Sequence, residues 1–291
     1  MNKFFLLKSL FLIIFILITI PSCKSSFASG ANKKILVTHH LVKDFIFWIS
    51  ENEYDVVPIY KEKNDPFRNN PNPLDEGNFI SFVTMCQQWE IKAVRLANET
   101  RPKSFISMRD PRIDIDCTSG SPWLHGAYLT EYLYETASFL SQMNPSKNEE
   151  YFKRAEILSE EINEFTIKMR VVKTPELKLP SGLRVAVYSS FGYELLGYMS
   201  LAPYMKIVNS PSDLVFPQEV SMLAEDDFPP ELIIFTNYAD PDIVRMFENN
   251  GFSTAVINLF PSDFNEELNP VDFIEKNYKI IRKAMLSLSG S

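Results

Sequence analysis

Glycine is scarce in this chain: 9 in 291 residues. The catalytic and nucleotide loops that depend on glycine are absent with it. No G-x-S-x-G elbow, H-E-x-x-H pair, phosphate-binding P-loop or Gly-rich dinucleotide turn occurs. His125 beside an aspartate could serve as a base, but no nucleophile stands at a useful spacing, so the chain does not read as an enzyme. Positive charge is also short. The formal net charge is −8 and no cationic run follows residue 34, which excludes a nucleic-acid surface and a polybasic membrane patch. Histidine is limited to His39, His40 and His125, and cysteine to Cys23, Cys86 and Cys117. A Cys-rich zinc fold and a disulfide-stapled miniprotein are both excluded.

Apolar residues are abundant. They make up 45% of the chain, 13% being aromatic, which is ample for a packed core and argues against disorder. The first long apolar run, Ser9 to Ile20, follows Lys3 and Lys8 and is too short for an ordinary spanning helix. It ends Ile20-Pro21-Ser22-Cys23. A small residue before Cys, directly after a hydrophobic region, resembles the bacterial lipobox. That resemblance implies a signal peptide over 1–22, acylation at Cys23 and a lipid-anchored tether over 23–33. An ordinary signal peptide with a chance cysteine is the plainer alternative. In an exported compartment Cys86 and Cys117 can form a disulfide or remain two buried thiols.

Past the tether, short apolar runs alternate with helical patterns. Strands are expected at Lys34 to Thr38, Val56 to Tyr60, Phe79 to Met85, Ser104 to Ser107, Leu183 to Tyr188, Leu232 to Thr236 and Thr254 to Leu259. Helices are expected at Leu41 to Ser50, through Leu96, along Leu129-Leu133-Ala137-Leu140, at Asp240 to Asn249 and at Val271 to Met285. Between the two sets, Phe152, Ala155, Leu158, Ile162, Phe165 and Met169 form one stripe, and Ser146 with Glu149 has a capping-box pattern. A helix of some 25 residues would be roughly 37 Å long. The fold class is α/β, and the expected organisation is an N-terminal lobe (34–145), a linking helix (146–172) and a C-terminal lobe (173–291). Each lobe would be a mostly parallel sheet flanked by helices, joined by one long backbone helix. In open α/β sheets ligands collect beyond the carboxyl ends of the strands. That puts His39 and His40, which follow the first strand, near any cleft. The plain alternative is one histidine buried and hydrogen-bonded, the other solvated. Asp110, Asp114 and Asp116 alternate with Arg112 in a loop without the glycine of a calcium turn, and read better as an Arg–Asp network or a solvated face.

Four stretches carry a family resemblance. Asp65-Pro66-Phe67, with Pro71, Pro73 and Asp75, stands in register with D-P-H-x-Y-E-P-x-P-x-D. Ser121-Pro122-Trp123-Leu124-His125 is similar to D-P-H-x-W-L-D-P with two residues deleted. Tyr188 with Phe191-Gly192-Tyr193 is similar to H-x-x-F-G-Y, and Asn258 ends a strand where an Asp is usual. Glu90 matches a further glutamate. The chain resembles the metal-binding receptors of bacterial zinc, manganese and iron ABC importers over nearly its whole mature length. The resemblance implies a monomeric extracytoplasmic solute-binding lipoprotein with a cognate ABC permease as partner, a divalent metal ion or small solute as ligand, and no nucleic acid.

The usual ligands are replaced at all four places: Phe67, the deletion before His125, Tyr188 and Asn258. Phenylalanine cannot ligate, asparagine binds softer metals poorly, and tyrosine serves mainly ferric iron. Three readings follow. A relocated metal site would use His39, His40 and His125. A site for a metal chelate or an organic solute would be lined by Phe67, Tyr188, Phe191, Tyr193 and Asn258. A surface interaction module would have lost transport.

Overall fold

The computed structural model describes residues 33–60, 66, 67, 70, 71, 74, 78–85, 88–108, 121–171, 183–198, 203–264 and 266–289. The leader, Cys23, the tether, most of the proline loop, Cys86, Cys117 and the acids Asp110, Asp114 and Asp116 lie outside the described residues.

Apolar runs largely buried on both faces form the inner strands of two sheets, with more exposed strands at the edges. In the first, β1 (Lys34–Val37) lies between β2 (Asp55–Pro58) and β3 (Phe79–Thr84), with β4 (Phe105–Ser107) beyond β3. All three pairings are parallel. Parallel neighbours need crossovers, and helices supply them. α1 (His40–Ser50) joins β1 to β2, and α2 (Ile91–Thr100) joins β3 to β4. The second sheet repeats this order. There β5 (Val185–Val187) lies between β6 (Met205–Lys206) and β7 (Leu232–Thr236), with β8 (Ser253–Ile257) beyond β7. Its pairings are parallel too. In each sheet the strand order reverses beside the first strand. The carboxyl ends of β1 and β3, and of β5 and β7, are therefore the topological switch points.

Strand alternation divides the core. Ile35 and Val37, like Val185 and Val187, enter one cluster that runs through both lobes and includes Trp123, Phe260 and Phe273. Leu36 joins Tyr60, Phe82 and Ala93 on the other face of the first sheet. Ala186 and Tyr188 join Phe235, Ile243 and Phe247 on the other face of the second. Period-two geometry requires this split.

Between the lobes run α3 (Gly126–Met143) and α4 (Asn148–Val171), packed along each other. The 24 residues of α4 span about 36 Å at 1.5 Å each. It packs on α1 of the N-terminal lobe, and on α5 (Tyr193–Tyr198) and α8 (Pro270–Ser289) of the C-terminal lobe. Its start is pinned to the end of α1. Tyr151 donates to Glu53 Oε2 at 2.7 Å, Lys147 pairs with the same carboxylate, and Arg154 Nη1 reaches the Ile49 carbonyl at 3.1 Å. Ser146 does not form the expected capping box. Its hydroxyl donates to Asn144 Oδ1 at 2.7 Å, and a 3-10 turn, Pro145–Lys147, precedes the helix. Remaining elements are α6 (Pro217–Ala224) and α7 (Pro241–Asn249). No helix among the described residues is long and apolar enough to cross a membrane.

Candidate functional site

Two polar clips tie strand ends together, that of the first lobe at its switch point and that of the second at the ends of β7 and β8. In the first lobe the fully buried Glu90 carboxylate gathers the strand ends. It accepts from Thr38 Oγ1 after β1, from Thr84 Oγ1 at 3.0 Å and from the Met85 amide at 3.2 Å. In the second, Asn237 Oδ1 accepts from the Leu259 amide at 3.1 Å, and Asn277 of α8 brackets the Asn258 peptide with two 2.8 Å bonds. Asp263 accepts from the Phe260 amide at 2.9 Å and from the Tyr238 hydroxyl at 3.0 Å. Burial pushes its carboxyl above the ordinary range, against these hydrogen bonds.

The rings that follow the strand ends meet between the lobes. Phe67, half-buried, is 4.8 Å from Phe191, 5.6 Å from Tyr238 and 5.8 Å from Trp89, all edge-on. Phe260 is 4.0 Å from the His39 ring, 5.6 Å from Tyr238 and 6.0 Å from Trp89, and it stacks on Trp123 at 5.7 Å. Such centroid spacings are those of favourable aromatic pairs. The belt joins the lobes, because Phe67, Trp89 and Trp123 belong to the first and Phe191, Tyr238 and Phe260 to the second. Polar bonds reinforce it. Trp123 Nε1 donates to the Leu259 carbonyl at 2.8 Å, Trp48 Nε1 to the Leu268 carbonyl at 2.7 Å, and Ser121 Oγ to the Phe191 carbonyl.

His39 is buried at the base of this belt and caps α1. Its Nδ1 accepts from the Leu41 amide at 3.2 Å. A neutral ring that accepts at Nδ1 carries its proton on Nε2. A metal-ligating histidine ordinarily donates from its second nitrogen. As oriented, His39 has no lone pair left for an ion. Burial, and then the neighbouring His40, hold its pKa well below the usual value, so the ring stays neutral. His40 is buried too, 6.0 Å from His39, so neither histidine is the solvated partner. It borders a hollow of about 570 Å³ shared with Lys43, Trp48, Pro261 and Glu266. His125 stands at the start of α3, 4.7 Å from Tyr128. Among the described residues no three of His, Cys, Asp or Glu converge where an ion could be held.

The expected cleft lining is only partly assembled. Phe67 and Phe191 meet, Tyr193 is exposed, and Asn258 is half-buried at the end of β8. Tyr188 is not brought to them. It is wholly buried on the far face of the second sheet, 4.7 Å from Phe235, with its hydroxyl 2.5 Å from the Asp213 carbonyl. Alternation from Val185 already assigns it to that face. Trp89, Trp123, Tyr238 and Phe260 were not singled out as site residues. Trp89, Tyr238 and Phe260 each follow closely on a strand end, and that position is the usable signal, whereas Trp123 lies in the 3-10 turn that leads into α3.

Beside Phe67 a cavity of about 370 Å³ opens between the lobes, lined by Phe67, Trp89, Phe191, Ser190, Lys206, Asn209 and Ser210. Apolar walls with a few polar groups are the ordinary make-up of a small-molecule site.

No protein-family model and no curated protein sequence matches the chain. Solved structures do. The SBP FpvC from Pseudomonas aeruginosa in complex with Ni2+ superposes with a TM-score of 0.72 at 13% identity, covering 88% of this chain and 98% of that one. The AdcAII protein of Streptococcus pneumoniae gives 0.70 at 17%, covering 88% and 100%. The Zn(II)-bound ZnuA-like domain of Streptococcus pneumoniae AdcA gives 0.66 at 16%, covering 88% and 99%. At these identities the likeness is one of fold, and the chain has the fold of these metal solute-binding proteins.

Proposed function

We propose that the protein is the extracytoplasmic solute-binding component of an ABC importer, and that its cleft takes an organic solute or a metal chelate in place of a bare ion. It works as a carrier, without a catalytic step. It is held to the cell envelope through acylated Cys23 and delivers its solute to a cognate permease. The shared fold supports the importer role. One observation carries the choice of solute: Phe67 stands where the resembling loop has a ligating histidine, and it packs on Phe191, Tyr238 and Trp89. A phenyl ring packed among rings offers an ion no ligand, while the adjoining cavity offers apolar walls and one lysine.

The relocated site at His39, His40 and His125 is disfavoured by the capping role of His39. Native mass spectrometry of protein isolated from cell envelopes without denaturation tests the proposal. An organic or chelate adduct that leaves on unfolding is expected. A single bare zinc, manganese or nickel ion per chain would overturn it.

A further inference from the structure

The cavity beside Phe67 is walled in part by a residue that holds an unmet, covered donor. Trp89 lines it, and its indole Nε1–H is buried with no hydrogen-bond partner among the described residues. The other two indoles are satisfied, Trp48 by Leu268 and Trp123 by Leu259. Most buried donors are paired, and an unpaired one has lost water without compensation, so a group that supplies an acceptor there is rewarded. Lys206 also lines the cavity. This ammonium is exposed, donates to Asn209 Oδ1 at 2.9 Å and has no carboxylate partner among the described residues. Ser190 and Ser210 add hydroxyls to the same lining. Phe67, Trp89 and Phe191 supply ring edges and faces. The volume is at the small end of the roughly 300–1,000 Å³ typical of ligand pockets, which suits a single substituted ring.

From this cavity, the unpaired Trp89 N–H and a Lys206 ammonium whose charge meets no carboxylate among the described residues, we infer that the solute is a small planar aromatic or conjugated anion. Its ring packs against the sides of Phe67 and Phe191 that line the cavity. Its anionic oxygens accept from Lys206 and, as the neighbouring rings shift to admit the solute, from Trp89 Nε1, which is covered in the unliganded protein. The inference rests on the solute-binding reading above and narrows it to one charge and one shape.

Calorimetric titration of the mature protein with salicylate, benzoate, benzamide and benzylamine tests it. Benzamide keeps the shape of benzoate without its charge. Charge-assisted hydrogen bonds are the strong ones, so the carboxylates should bind about tenfold or more tighter than the amide. Lys206→Met should abolish that preference. Trp89→Phe should weaken carboxylate binding by about fivefold to tenfold and keep the preference. Lys206 is exposed, so its replacement should leave the melting temperature unchanged, which separates lost binding from lost fold. If benzamide or benzylamine binds as tightly as salicylate, or if Lys206→Met keeps the preference, the anion inference is overturned and the solute-binding reading stands. If none of the four probes binds while zinc does, both are overturned. If no probe and no metal binds, the anion inference is overturned, and the solute-binding reading then depends on its own mass-spectrometric test.

Discussion

Replacing Phe67 by alanine measures what the aromatic belt contributes. A fully buried Phe→Ala change costs about 3–5 kcal/mol, including the cavity it leaves. Phe67 is half-buried, so about 2–3 kcal/mol is expected. The ring contacts give an independent figure. Phe191 at 4.8 Å, Tyr238 at 5.6 Å and Trp89 at 5.8 Å are three pairs, each worth about 0.5–1.5 kcal/mol. Their sum, about 1.5–4.5 kcal/mol, brackets the first figure. At about 2–4 °C per kcal/mol for a chain of this size, Tm should fall by about 4–12 °C. Urea unfolding followed by far-UV circular dichroism gives the same difference at constant temperature. Tyr193→Ala is the control, because Tyr193 is 49% exposed and its loss should cost no more than about 0.5 kcal/mol. If Phe67→Ala costs no more than Tyr193→Ala, the ring does not bridge the lobes and the reasoning fails.

Other consequences are equally direct. Phe67→His should give no tight zinc binding by titration, since one added imidazole falls short of the three protein ligands a zinc site needs, and His39 is engaged as a cap. Trp123→Phe keeps the stacking on Phe260 but leaves the Leu259 carbonyl without its donor, so denaturant unfolding should show a loss of about 1–3 kcal/mol. The folded-state pKa of His39 lies below its ordinary value of 6.5. Below that value the unfolded chain binds the proton first, so wild-type stability should fall as pH drops from 7 to 5, by at most about 1.4 kcal/mol per unit. His39→Asn retains a capping side chain and should flatten that fall. Asp263, whose carboxyl is raised, acts with the opposite sign nearer the carboxylate range and contributes to both proteins alike. A wild-type curve already flat between pH 7 and 5 would contradict the buried neutral histidine.

The inner strands of the two sheets, β1, β3, β5 and β7, were legible because each is a short apolar run largely buried on both faces. Lys34-Ile35-Leu36-Val37 and Leu232-Ile233-Ile234-Phe235 leave no other economical reading. The long stripe from Phe152 to Phe165 likewise required a helix, and the structure has it as α4. Elements without a period escaped. β6 is two residues long, and α5 and α6 span six and eight, too few for a 3.6-residue repeat to declare itself. The site was less legible because its parts meet only through tertiary packing. Phe260 and His39 are far apart in the chain, yet their rings lie 4.0 Å apart. The tautomer of His39 follows from one amide bond that no spacing foretells. Tyr188 is different. Period-two alternation from Val185 places it on the far face of the sheet, against the family motif that implies a place in the cleft.

The claim that this cleft has given up bare metal ions is tested most directly by equilibrium dialysis of the mature protein against zinc, manganese and nickel salts, followed by elemental analysis. Metal well below one ion per chain is expected for all three. A full equivalent of any one of them, retained against dialysis and lost in a His39→Asn, His40→Ala, His125→Ala protein that still folds, would contradict the account.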